Sequence, residues 1–117
     1  MKSRRLYRAR HGETLVSLWI EELADGGLRF IGQDISPALK EQYGDSDYEY
    51  WVDIAAADLP RLVQALIVDM PRGWRRLDRL PAIKLVERRF AGNPDGFKAF
   101  RALCAAAGIA APFGFWH

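Results

Sequence analysis

Apolar and polar residues alternate along the first half of the chain, then fall on helical stripes along the second. Residues 4–10 (RRLYRAR) fit a short first strand. Residues 14–23 (TLVSLWIEEL) carry the β-branched and aromatic types that pack well on a pleated sheet, and predict a longer one. Asp25-Gly26-Gly27 supplies a hairpin turn. Residues 28–34 then return, with Leu28, Phe30 and Gly32 alternating against Arg29, Ile31 and Gln33. A glycine inside a strand marks a bulge or a close approach of another group, so Gly32 stands out. Ser36-Pro37 opens a short helix that Gly44 stops. Over residues 47–54, Tyr48, Tyr50, Val52 and Ile54 share one face, while Glu49, Trp51 and Asp53 share the other. This is the pattern of a half-buried antiparallel strand.

After residue 58 the period changes. Asp58 is placed to cap a helix whose stripe is Leu59, Leu62, Val63, Leu66, Ile67 and Met70, ended by Pro71 and Gly73. Residues 72–80 form a basic connector. Pro81 opens a second helix carrying Ile83, Val86 and Phe90, with Gly92 beyond it. Asn93-Pro94 starts a third, on which Phe97, Phe100, Cys104 and Ala107 recur until Gly108. The tail holds Phe113, Phe115 and Trp116, rings that predict packing rather than fraying. Strands followed by helices predict an α+β fold: an antiparallel sheet of three or four strands, with about three helices on one face.

Composition is that of one globular domain over residues 1–117. Half the residues are apolar and 27% are charged. The one cysteine, Cys104, excludes an intramolecular disulfide and fits a reducing compartment. The basic start is not followed by an apolar run. Stretches such as Ala65–Val68 and Ala102–Ala107 are too short to span a bilayer. These features together predict a cytoplasmic protein with no membrane contact. The net charge of +2 conceals a segregation. Residues 1–10 hold five basic groups and no acid, residues 11–58 hold eleven acids against two bases, and residues 59–117 hold ten bases against four acids. Either the molecule is electrically lopsided, or these segments interleave in space and neutralise one another.

The stretch from Gly32 to Trp51 is the most distinctive. Asp34, Asp45, Asp47 and Glu49 lie among Tyr43, Tyr48, Tyr50 and Trp51. Asp45-Ser46-Asp47 opens like a calcium loop, but Tyr50 stands where that loop needs glycine and Ala56 where it needs glutamate. No metal or cofactor set is legible. Acids beside aromatic residues suit a surface that meets a basic protein, which makes Asp34, Asp45, Asp47, Glu49 and Trp51 the candidate partner-binding residues. The competing reading has the acids capping turns and the tyrosines filling the core.

The run Gly32, Asp34, Ile35, Pro37, then Gly44 and Tyr48-Glu49-Tyr50, resembles an uncharacterised family of small bacterial proteins with a G-x-D-[IL]-x-P element and a following G-x-x-x-[YE]-[YE]-[EYFW] element. Arg89-Phe90 and the closing Phe115-Trp116 are similar too. The resemblance covers about residues 15–117 and implies no activity, ligand or catalytic residue.

Two further classes remain open. Arg4, Arg5, Arg8 and Arg10, with Arg72, Arg75, Arg76 and Arg79 around Trp74, could engage phosphates and stack a base, although no nucleic-acid-binding motif is present. A carboxylate-based hydrolase would need Asp34, Asp47 and Glu49 to converge. Nucleophilic catalysis lacks its parts: His11 and His117 are the only histidines, and Cys104 lies on an apolar stripe where a thiol behaves as a small hydrophobe. Small size, missing catalytic motifs and segregated charge favour a non-enzymatic binding protein, immunity-like or adaptor-like, with a basic partner.

Overall fold

The period-two segments pair into one antiparallel meander. The computed structural model describes residues 2–38, 41, 47–68 and 79–116. Strands β1 (Ser3–His11), β2 (Thr14–Glu22), β3 (Leu28–Ile35), β4 (Asp47–Ile54) and β5 (Phe113–Trp116) lie in the order β1-β2-β3-β4-β5. The sheet therefore has five strands rather than three or four. The additional one is the aromatic tail, which pairs with the far edge of β4 through Val52↔Phe113 and Glu49↔Trp116. The first four boundaries fall within a residue of the expected ones. The β2–β3 hairpin closes where Asp25 Oδ1 accepts the Gly27 N–H at 2.9 Å and the Leu23 N–H donates to the Gly27 carbonyl at 2.8 Å.

Among the described residues, three helices follow: α1 (Leu59–Ile67), α2 (Ala82–Phe90) and α3 (Gly96–Ala106). A 3-10 turn at Ala56–Asp58 leads into α1. Asp58 occupies the N-cap position of α1, yet its side chain makes no capping hydrogen bond, contrary to the expected role. Helix α3 begins two residues past Pro94. Asn93 Oδ1 accepts the Asp95 N–H at 2.9 Å, so the asparagine builds an Asx turn before the helix instead of capping it. The helix expected after Ser36-Pro37 lies largely outside the described residues. So do the expected helix end at Met70 to Gly73 and the connector with Arg72, Trp74, Arg75 and Arg76.

The helices cover one face of the sheet. From below come Leu18 and Ile20 of β2, Leu28 and Phe30 of β3, and Val52 and Ile54 of β4. From above come Leu62 and Leu66 of α1, Ile83, Leu85, Val86 and Phe90 of α2, and Phe100 and Cys104 of α3. Phe30 is fully buried at the centre. Its ring lies 4.7 Å from that of Phe100, and edge-on to Phe97 at 5.8 Å and Phe90 at 5.9 Å. Strand β1 joins this core through a bulge. The pairing slips between Arg5 and Tyr7, which sets Leu6 into the core and frees its carbonyl to accept the Gly92 N–H at 2.8 Å. One extra residue in an edge strand thus ties the sheet to the α2–α3 connection.

Phe30 carries contacts from three rings. Phe30→Ala is expected to lower the free energy of unfolding by about 3–5 kcal/mol, read as a shifted denaturation midpoint at constant slope.

Candidate functional site

Because side chains alternate, the register also defines the opposite face. One row across the sheet reads Arg5, Trp19, Ile31, Trp51 and Gly114. The next reads Arg8, Ser17, Gln33, Glu49 and Trp116, and on the other side of the first lies Ser3, Glu21, Arg29 and Asp53. The packing residues of all three described helices lie on the other side of the sheet. Three tryptophans therefore stand on a face that these helices leave open, with Ile31, only 4% exposed, between Trp19 and Trp51 in one row.

The face is shaped by specific contacts. The Arg29 guanidinium donates to both carboxylate oxygens of Asp53, Nε to Oδ1 at 2.7 Å and a terminal nitrogen to Oδ2 at 3.0 Å. This hydrogen bond to Asp53 raises the guanidinium pKa further above its ordinary value, against the effect of burial. Both side chains are about one-third exposed, so the pair matters more for geometry than for stability. It holds the Arg29 guanidinium carbon 5.0 Å from the centroid of Trp51, a cation–π contact. On its other flank the Trp51 ring leans over β5, where a Cβ at Gly114 would overlap it. Trp51 is thus fixed between a cation and a glycine. At the β1 side the twist of the sheet opens a hollow of about 440 Å³ lined by Arg5, Arg8, Leu15, Ser17, Trp19 and Gln33, among others.

The structure divides the candidate partner-binding residues. Asp47, Glu49 and Trp51 lie on the open face of β4, and Asp45 lies outside the described residues. Asp34 pairs in register with Tyr48, on the helix side, and so is parted from them. The acids of β4 and its tyrosines do not form one surface. Tyr48 and Tyr50 stack on each other at 5.5 Å, and Tyr50 packs edge-on against Phe97 at 4.7 Å. Gly32, Asp34 and Tyr50 form a single packing unit. The Tyr50 ring occupies the space a Cβ of Gly32 would need, and its hydroxyl donates to Asp34 Oδ1 at 3.2 Å. Gly32 marks a close approach rather than a bulge, since β2, β3 and β4 pair without interruption. Burial pushes the Asp34 carboxyl up, partly offset by the Tyr50 hydrogen bond, and burial likewise pushes the Tyr50 hydroxyl up.

The other chemistry-bearing groups singled out in the sequence lie apart from one another among the described residues. Asp34 on one face and Asp47 and Glu49 on the other do not converge. Cys104 is wholly buried, and burial pushes its thiol up to about 11, away from the reactive range. His11 is exposed and bonded through Nε2 to the Tyr7 hydroxyl at 2.8 Å. Among the described residues no group of three or more His, Cys, Asp or Glu could hold a metal ion, and no helix is long and apolar enough to cross a membrane. Of the N-terminal arginines, Arg5, Arg8 and Arg10 belong to the open face, while Arg4 pairs with Ile20 on the helix side and has a buried Nε without a hydrogen-bond partner.

Sequence reasoning left Trp19, Ile31 and Arg29 out of the site. The signal was present: a tight turn at Asp25-Gly26-Gly27 sets Trp19 opposite Ile31, and alternation then places both beside Trp51. Comparison of the chain with protein-family models, with curated proteins and with solved structures finds no match.

Asp34 makes stability depend on pH. Its native pKa lies above the ordinary 3.8, so the stability it contributes is fully present below that value and is lost as pH rises through the native one. Asp34→Asn keeps an acceptor for Tyr50 and removes the buried charge. It is expected to melt higher than the wild type at pH 7, with the difference closing by pH 3 in thermal melts followed by circular dichroism. The Cys104 thiol is expected to resist a thiol reagent in the native protein and to react once the chain is unfolded in denaturant.

Proposed function

We propose that this chain is a small, non-enzymatic protein-docking domain of adaptor-like or immunity-like type, working in the cytoplasm, and that the open sheet face is its docking surface. One observation carries the reading: Trp19, Trp51 and Trp116 stand with Ile31 on the face away from the helices, which carries arginines on edge strand β1 and acids on β4. Aromatic and arginine side chains dominate binding energy at protein interfaces, because they bury large area at low entropic cost. The rigid setting of Trp51 under Arg29 favours the same use, since an anchor already held in place loses little freedom on binding. Glu49, beside Trp51, is the group a basic partner would meet; of the candidate set this reading keeps Asp47, Glu49 and Trp51 and drops Asp34, which lies on the helix side.

Arg5, Arg8 and Trp19 around one hollow favour a second reading, in which the face takes a single-stranded nucleic acid by phosphate contacts and stacking. Against it, Glu21, Glu49 and Asp53 stand on the same face and would repel a phosphate backbone. The uncharacterised bacterial family suggested by the Gly32–Tyr50 motif assigns no activity, and in the fold its Gly32, Asp34 and Tyr50 form a packing unit.

Capture from a bacterial lysate with the tagged chain distinguishes the two. Protein partners retained by the wild type are expected to bind at least tenfold less well to Trp19→Ser and to Glu49→Lys, and to be indifferent to nuclease. Capture that neither variant weakens, or oligonucleotide binding that falls steeply with salt, would overturn the proposal.

A further inference from the structure

The open face is complementary to itself, and we propose that its occupant is a second copy of this chain. The inference rests on the docking-face reading and names the partner. When two sheets pack face to face about a two-fold axis parallel to the strands, position along the strand is preserved and strand order is reversed. Each register row of one copy then meets the same row of the other, read backwards.

Placing the axis midway between β2 and β3 lays β1 over β4 of the second copy and β2 over β3. In the tryptophan row, Arg5 meets Trp51 of the second copy and Trp19 meets Ile31. In the next row Arg8 meets Glu49, and Ser17 meets Gln33. In the flanking row Glu21 meets Arg29. Every charge in these pairings meets an opposite charge or an aromatic face. The apolar pair Trp19–Ile31 lies beside the axis, where the rotation that sheet twist imposes displaces it least.

Of the other placements, an axis midway between β3 and β4 opposes no like charges but leaves β1 and its arginines outside the contact, and two more fail on charge. An axis along β3 sets Glu21 against Asp53 and Arg29 against its own copy. An axis across the strands lays β1 on β1, which brings Arg5, Arg8 and Arg10 of the two copies together. Like charges directly opposed across a dry interface are costly, which disfavours these two, and the axis between β2 and β3 alone pairs the β1 arginines with the β4 acids. The area suffices for a weak dimer. Strands of eight residues are about 26 Å long and four of them about 19 Å wide, which makes about 500 Å² per copy and about 1,000 Å² in total, the low end for a specific interface.

The test is sedimentation equilibrium of the full chain from micromolar to millimolar concentration, at low and moderate salt. The wild type is expected to show a reversible monomer–dimer equilibrium that weakens with salt. Arg8→Glu sets two acids against each other at both ends of the interface, and Glu49→Arg sets two arginines. Each alone is expected to raise the dimer Kd at least tenfold. Mixed in equal amounts, with one of them tagged to change its mass, they are expected to form a heterodimer, because each altered residue then faces its opposite. Circular dichroism checks the fold, and Arg8→Ala with Glu49→Ala replaces the pair if a reversed charge unfolds the chain. A wild type monomeric at millimolar concentration, or a mixture that stays monomeric, overturns the proposal. If the wild type is monomeric while Glu49→Lys still loses a captured protein, the docking face stands with a different occupant; if neither effect appears, both readings fall.

Discussion

The burial of Phe30 beneath Phe90, Phe97 and Phe100 is the contact on which the architecture turns. It joins the middle strand of the sheet to α2 and α3 at one point, and the apolar residues of β2 and β4 gather around it. Aromatic pairs in such offset and edge-on geometries add about 0.5–1.5 kcal/mol each beyond the area they bury. Strand β1 completes the arrangement from the edge. Its bulge at Leu6 adds one apolar residue to the core and one backbone hydrogen bond to the helical layer. The helices are drawn to the Phe30 side because it alone presents a continuous row of Leu, Ile, Phe and Val.

What remains follows from alternation. Strand β4 sends Tyr50 to the helix side and Trp51 to the open side, and each ring lies over a glycine of a neighbouring strand, Gly32 on β3 and Gly114 on β5. The two glycines do opposite service. Gly32 lets Tyr50 close the core and reach Asp34, whereas Gly114 lets Trp51 lie flat on the surface, with Arg29 holding its other flank. A large aromatic beside a glycine on the next strand covers backbone that would otherwise be bare, which offsets the weakness glycine brings to a strand. The open face is thus built by the same strand residues that close the core, one position out of phase.

Much of this was legible in the sequence, and the gaps have physical causes. Strands β1 to β4 announce themselves by period, and the helices by stripes at three- and four-residue spacing ending near Gly92 and Gly108. Strand β5 did not, because Phe113-Gly114-Phe115-Trp116 is too short to show alternation, and its pairing with β4 spans more than half the chain. The Leu6 bulge was hidden because a run of arginines carries little apolar pattern to shift. In the candidate site, Glu49 and Trp51 were placed correctly on one face. Asp34 was grouped with them by nearness in sequence, although it lies on the next strand in register with Tyr48. Trp19 and Ile31 went unnoticed because their role appears only when three strands are read across rather than along.

The segregation of charge along the chain finds its meaning in the same cross-reading. An acidic middle and basic ends can either make a lopsided molecule or interleave to neutrality, and a meander does a third thing: it converts order in sequence into position across the sheet. Basic residues of the first ten lie on edge strand β1 and the acids of residues 47–53 on β4, with Trp19, Ile31, Glu21 and Arg29 on the strands between. The face is balanced in total, with its outer charges basic on β1 and acidic on β4. Such a gradient attracts no polyanion as a whole, but it orients any partner that carries the reverse gradient. A copy of the chain turned about the strand direction carries that reverse gradient by symmetry, so segregation in the sequence and self-complementarity of the sheet are one property seen in one dimension and then in two.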